Sequence, residues 1–247
     1  MRVYQEPAFI LHASAYRETS LLLEVYSRHH GRIGLVARGA RRAQHATRAL
    51  LTPFLPLLIN WSGKGELATL AGVDTDSTAI RLERDALFCG LYLNELLVRL
   101  LHRHDPHEGL YDIYQTTLVR LLDRDHVMQT LRLFEKHLLQ ELGYGLVLEQ
   151  EIHGNSPIIP ALVYDYVPER GPVVAGREVL GVKVHGTTLL ALAAECMTDP
   201  DILRESKNLM RACLAPHLGD RPLHSRKLFR PSAVNTASLN HKVDMGD

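Results

Sequence analysis

The chain has 247 residues, 46% of them apolar, and its 28 basic and 28 acidic side chains cancel to a formal charge of zero. This composition excludes a disordered polyelectrolyte and leaves enough apolar mass for one large or two small folded units. The longest apolar stretch, Phe54 to Trp61, falls far short of the roughly 18 residues of a membrane span, and the first residues lack the apolar centre of a signal peptide.

The first 75 or so residues read as strands. Ala8 to Leu11 is short and apolar, Ser20 to Tyr26 is richer, and Arg32 to Ala37 alternates weakly before a basic, glycine-containing loop. Phe54 to Trp61 follows, then the turn Ser62-Gly63-Lys64-Gly65 and a last strand from Glu66 to Val73. Short strands joined by glycine turns predict a small β-barrel.

From about residue 79 the apolar period lengthens. Leu82, Ala86, Cys89, Leu93, Leu96 and Leu100 make a helical stripe, with Asp76-Ser77-Thr78 as an N-cap source. Further helices are expected over Glu108–Leu122 and Val127–Leu142, the latter stopped by Gly143. Residues 150–186 are rich in glycine, proline and β-branched side chains and predict a small hairpin about Pro168-Glu169-Arg170-Gly171. Helices return over Thr188–Cys196 and Asp201–Leu218, the second introduced by Asp199-Pro200 and followed by Gly219. The fold class is therefore α+β, with a barrel domain over 1–78, a mainly helical domain over 79–230 and a loose tail over 231–247.

Charge is segregated along this plan. No acidic residue lies between Glu24 and Glu66, whereas Arg28, Arg32, Arg38, Arg41, Arg42, Arg48 and Lys64 all do. A local positive field in a neutral protein points to a polyanion, most simply nucleic acid, or else to an acidic protein surface. Planar guanidinium groups fork phosphates, and Arg32, Arg38, Arg41, Arg42, Arg48 and Lys64 are the candidate contacts, with Tyr26, Phe54 and Trp61 able either to stack on bases or to fill the barrel. Arg226 and Lys227 form a second basic point, beside Leu223, Leu228 and Phe229, which would hold the chain end to the core.

Catalytic signals are weak. His102, His104 and His107 lack nearby cysteines, and Asp74-x-Asp76 and Asp123-x-Asp125 sit where aspartates cap helices, although the first pair leaves a metal-dependent nuclease as a rival reading. No nucleophile elbow, phosphate loop or zinc-protease motif occurs, so no catalytic residue, metal or cofactor is expected. The three scattered cysteines suit free, buried thiols in a reducing cytoplasm. The expected helix from Val127 has an apolar face through Leu131 and Leu138, with Arg132 and Lys136 on another side. Such a face would either capture a peptide ending in aromatics and a carboxylate or be an ordinary amphipathic helix.

Several runs resemble the bacterial recombination mediator family RecO. They are Arg17-Glu18-Thr19-Ser20-Leu21-Leu22-Leu23-Glu24-Val25, Gly31-Arg32-Ile33-Gly34-Leu35-Val36-Ala37-Arg38-Gly39-Ala40-Arg41, Gly63-Lys64-Gly65-Glu66-Leu67, Gly90-Leu91-Tyr92-Leu93-Asn94-Glu95-Leu96-Leu97 and Pro222-Leu223-His224-Ser225-Arg226-Lys227-Leu228-Phe229-Arg230, with Leu51-Thr52-Pro53-Phe54 and Leu142-Gly143-Tyr144-Gly145 between. The resemblance implies an N-terminal OB-fold before the helical domain. It also implies a non-enzymatic, nucleoid-associated repair protein that binds single- and double-stranded DNA and anneals complementary strands. Its partners would be the acidic C-terminal tail of single-strand-binding protein (SSB), RecR and, in one pathway, RecF, in support of RecA loading. By position, Arg132 would meet the tail carboxylate, with Leu131 and Leu138 as pocket walls and Lys136 alongside. Some members carry a four-cysteine zinc module after the Gly-Tyr-Gly motif; residues 146–190 here contain no cysteine, which resembles the zinc-free branch.

Overall fold

The computed structural model describes residues 1–42, 46–63, 65–75, 77–176 and 181–228, with the backbone alone at Ala46 and Arg226. Lys64, Gln44, His45, Asp76, Phe229 and the expected tail over 231–247 therefore lie outside the described residues.

Five strands close into a barrel in the order β1-β2-β3-β5-β4, comprising β1 (Arg2–Tyr16), β2 (Ser20–Ser27), β3 (Gly31–Ala37), β4 (Leu57–Ser62) and β5 (Leu67–Asp74). Only β3 and β5 pair in parallel. The long β1 closes the barrel by pairing with β2 through Ala8–Tyr16 and with β4 through Arg2–Ala8. Register shifts at Ile10/His12 and Val3/Glu6 let it bend between these neighbours. At the second bend Gln5 takes a φ of 51° and its N–H donates to Asn60 Oδ1 at 2.6 Å. Ala8, Ile10, Leu23, Val25, Leu35, Ile59 and Trp61 fill the interior. This is the OB-like barrel that the resemblance implies, with a far longer first strand than the apolar run Ala8–Leu11 predicts. Phe54, expected to open a strand, lies in a turn with φ 65°, and β4 begins at Leu57.

The helical part comprises α1 (Arg84–Leu100), α2 (Glu108–Arg120), α3 (Val127–Glu141), α4 (Gly186–Ala193) and α5 (Pro200–Leu218). Asp199 caps α5 by accepting from the N–H groups of Asp201 and Ile202, and Gly143, at φ 86°, lets the chain leave α3. The α1 cap differs from expectation. Glu83 occupies that position without a side-chain cap bond, while Asp74 accepts from the Thr75 N–H. The expected hairpin, β6 (Val163–Val167) with β7 (Gly171–Val174), gains a third strand, β8 (Val182–His185), on the other edge of β6. Two of the three thiols meet the expectation of burial. Cys89 and Cys213 are buried, which pushes each thiol up to about 12, whereas Cys196 is exposed.

Apart from its own interior, the barrel contributes one side to the core of the helices. Phe9 and Tyr26 of the barrel pack on Tyr111 and Tyr114 of α2, with ring centroids 5.2–6.2 Å apart. Tyr26 Oη donates to the His107 carbonyl at 2.9 Å, and Asn94 Nδ2 donates to the Leu11 carbonyl at 2.9 Å. Burial raises the Tyr26, Tyr111 and Tyr114 phenols far above their usual range, so they remain neutral.

Candidate nucleic-acid interface and basic cleft

The acid-free window divides in two. Arg28 and Arg32, at the foot of the barrel, are used in docking. Arg28 reaches Asp112 of α2 at 2.8 Å. Arg32 donates to Glu24 at 2.8 Å and to the Leu101 carbonyl at 3.0 Å, with its side chain only 16% exposed. Glu24 also takes Arg103, so one carboxylate bridges two guanidiniums at the junction. Arg32, a candidate phosphate contact by sequence, is thus occupied by its own protein.

Arg38, Arg41 and Arg42 are exposed where the chain leaves β3, and Arg48 is exposed in a 3-10 turn over Ala46–Ala49. The Arg41 N–H donates to the Thr19 carbonyl at 2.9 Å, and its guanidinium donates to the Arg17 and Glu18 carbonyls at 3.1 Å each. These bonds fasten the basic loop to the β1–β2 turn and bring exposed Arg17 to the same corner. Arg17 lies outside the acid-free window, so a search for charge runs misses it.

The three aromatics that sequence leaves between stacking and core are all core. Tyr26 is fully buried, Phe54 packs against Gly90 of α1, and Trp61 lies inside the barrel, edge-on to His30 at 5.2 Å. Apolar burial wins because each ring points to the inner or docked face of its strand or turn.

A second feature lies on the helical side. A cleft of about 620 Å³ is walled by Tyr92 of α1, Met128, Leu131, Arg132 and Glu135 of α3, Lys207 and Arg211 of α5, and Pro222, Leu223 and Lys227 beyond it. Arg132 lies at its wall, 5% exposed, with one terminal nitrogen 2.9 Å from Glu135 and its Nε without a hydrogen-bond partner among the described residues. Tyr92 Oη donates to the same Glu135 oxygen at 2.6 Å. A buried, incompletely bonded guanidinium beside apolar walls suits an anionic ligand with an apolar body.

Of the residues sequence proposes here, Arg132 and Leu131 line the cleft and two do not. Leu138 is fully buried in the core two turns further along α3. Lys136 turns away, pairing with Glu195 at 2.9 Å and donating to the Leu192 carbonyl at 3.2 Å. Lys227, grouped by sequence with the DNA contacts, joins Arg132 in the cleft instead. Lys207 and Arg211 went unrecognised because only the packing of α5 on α3 brings them here, although their four-residue spacing marks one basic helix face.

The chain end that supplies Lys227 is strapped to α1. Glu95 accepts from the His224 N–H at 2.7 Å, the Ser225 N–H at 2.8 Å and Ser225 Oγ at 2.6 Å, while Arg99 donates to the Arg221 and Leu218 carbonyls. Leu223 is buried beneath the strap, but Leu228, expected to help hold it, is largely exposed. Asp123 caps the turn before α3 by accepting from the Asp125 N–H, the structural role expected of that pair; Asp76 of the other pair lies outside the described residues. No described helix is long and apolar enough to cross a membrane.

Known proteins resemble the chain over nearly its whole length. The family model described as Recombination protein O N terminal matches residues 1–78, and that described as Recombination protein O C terminal matches residues 81–227. The chain is 47% identical to the DNA repair protein RecO of Nitrosococcus oceani, over 93% of this chain and 94% of that one. It is 47% identical to that of Methylococcus capsulatus, over 94% and 95%, and 44% identical to that of Coxiella burnetii, over 92% and 98%. With both halves matched in order and relatives this similar from end to end, the chain belongs to the RecO family of DNA repair proteins.

Proposed function

We propose that this protein is a non-catalytic recombination mediator that binds single- and double-stranded DNA on its barrel and pairs complementary strands. The observation that carries this reading is that Arg38, Arg41, Arg42 and Arg48 are exposed, with Arg41 bringing Arg17 to its corner, on a barrel whose other window arginines, Arg28 and Arg32, have acidic partners. Phosphates held by these arginines release counterions with little regard to sequence, and screening by them lets two strands approach. The cleft serves a second partner, the acidic C-terminal tail of SSB. Arg132 meets its carboxylate, Leu131 and Met128 meet its apolar side chains, and Lys207, Arg211 and Lys227 draw it in. The protein thereby works on SSB-covered strands at the nucleoid and, with RecR and RecF, assists RecA loading.

The test is one binding experiment with two variants. Reversing Arg38, Arg41 and Arg42 to Glu should weaken binding to labelled DNA and flatten its salt dependence by about one logarithmic slope unit per lost phosphate contact, leaving binding of an SSB-tail peptide unchanged. Lys207→Glu with Arg211→Glu should do the reverse. Loss of both activities in both variants, or of neither, refutes two separate sites. If short oligonucleotides fail to compete for the barrel face while an acidic protein does, the face is an adaptor surface instead.

A further inference from the structure

With Tyr26, Phe54 and Trp61 buried, the barrel lacks the stacking surface that sequence suggests, and a basic loop alone cannot tell a single strand from a duplex. The β1–β2 corner offers another aromatic. Tyr16 ends β1 opposite Ser20, is half-buried, and carries the Arg17 guanidinium over its ring at 5.3 Å from the centroid. Arg17 holds a left-handed backbone, φ 51°, unusual for a side chain of its size. Arg41 stabilises that conformation by donating to the carbonyls of Arg17 and Glu18. The basic loop therefore does more than present charge: one of its arginines fixes the turn that sets Arg17 against the aromatic ring.

We infer that Tyr16, Arg17 and the Arg41 clasp form a subsite for one unpaired nucleobase. This deepens the DNA-binding reading of the same surface and rests on it. A base stacks on the Tyr16 ring in place of the Arg17 guanidinium, and Arg17 turns to the phosphate of the same nucleotide. Both parts of a nucleotide are thereby met by adjacent residues: the π-face by a ring, the charge by a guanidinium already over it. A duplex presents its phosphates but keeps its bases stacked, so it engages the arginines and not the ring. The subsite gives the barrel a preference for single strands that its charge does not.

The test compares three probes of equal length: labelled oligo-dT, an abasic strand with the same phosphates, and a duplex. Tyr16→Ala should weaken oligo-dT binding about tenfold and leave the abasic strand and the duplex unchanged, while Tyr16→Phe retains oligo-dT binding. Equal losses for all three probes, or no loss for any, would overturn the subsite. The double variant Arg38→Ala, Arg42→Ala serves as reference. If it weakens all three probes while Tyr16→Ala weakens none, the subsite fails and the DNA-binding surface stands. If neither variant affects any probe, both fail.

Discussion

Gly31 opens β3 with a φ of 64°, and a β-carbon there would lie 2.1 Å from the Asp105 carbonyl oxygen across the junction with the helices. Two costs meet at this position: left-handed backbone, which any side chain resists, and a clash with a main-chain atom that cannot rotate away. Gly39 separates them, because it has a φ of 69° and no described atom within 4 Å of the same virtual atom. Gly39→Ala should therefore cost about 1 kcal/mol, and Gly31→Ala about 3 kcal/mol or more. Urea midpoints followed by the single tryptophan, buried in the barrel, give both numbers. Equal losses would mean that the junction yields and the close approach counts for nothing. Gly34 and Gly90 carry only the steric cost, with virtual β-carbons 2.9 Å from the Glu66 carbonyl oxygen and 2.8 Å from the Phe54 ring. These glycines belong to the runs that carry the family resemblance, so part of that resemblance is a record of where two parts of the chain touch.

Among the elements, the strap from Arg221 to Leu228 is held at His224 and Ser225 by one carboxylate. Burial raises the Glu95 carboxyl, but the bonds from Ser225 Oγ and the Ser225 and His224 N–H groups outweigh it, and the net shift is downward from 4.5. A carboxylate whose folded value is depressed contributes stability above its unfolded value and loses it as pH falls through the folded one. Strap closure should accordingly be constant at neutral pH and weaken only below about 4.5. Glu95→Gln should loosen it by about 1–2 kcal/mol at neutral pH and abolish the local acid dependence. Amide exchange at His224 and Ser225 reads this directly, even though Glu195 and Glu205 are also held low by their own partners and add to global acid lability. Protection factors that fall equally in both proteins as pH falls would place the switch elsewhere. Because the strap supplies Leu223 and Lys227 to the cleft, the variant should also bind an SSB-tail peptide more weakly. The elements themselves were unequally legible from sequence. The third helix could be read almost to the residue because its apolar stripe and Gly143 are local signals. The first strand was not, because Ala8–Leu11 is buried on both faces while its ends face solvent, which shortens the apolar run well below the length of the strand. The cleft was half legible: Leu131 and Arg132 are neighbours on α3, but Lys207, Arg211 and Lys227 come from elements whose approach no spacing rule encodes.

At the scale of the whole molecule, the distance between the barrel arginines and the cleft is set by the junction, and the junction is built like a core. Phe9, Tyr26, Tyr114 and Phe134 run in one aromatic chain from barrel to α3, and Tyr114 is fully buried with its hydroxyl on Asn94 at 2.5 Å. Glu24 adds the charged tie, meeting Arg32 and Arg103 in a partly buried triad. Apolar interfaces of this kind couple folding units, whereas polar and loosely packed ones leave domains to unfold singly. Trp61 fluorescence, reporting the barrel, and far-ultraviolet circular dichroism, reporting mainly the helices, should therefore share one urea midpoint. Tyr114→Ala removes a ring from the centre of the junction and should cost about 3–5 kcal/mol, lowering both midpoints together. Glu24→Gln leaves two guanidiniums facing each other without their shared anion and should cost less, about 1–3 kcal/mol, because water reaches the triad. If Tyr114→Ala shifts the helical signal and leaves Trp61 untouched, the barrel folds on its own and the two surfaces are tethered rather than rigidly spaced. A common shift means that the arginine corner of the barrel and the basic cleft are held at one fixed separation, which is the spacing the proposed DNA and SSB-tail sites require.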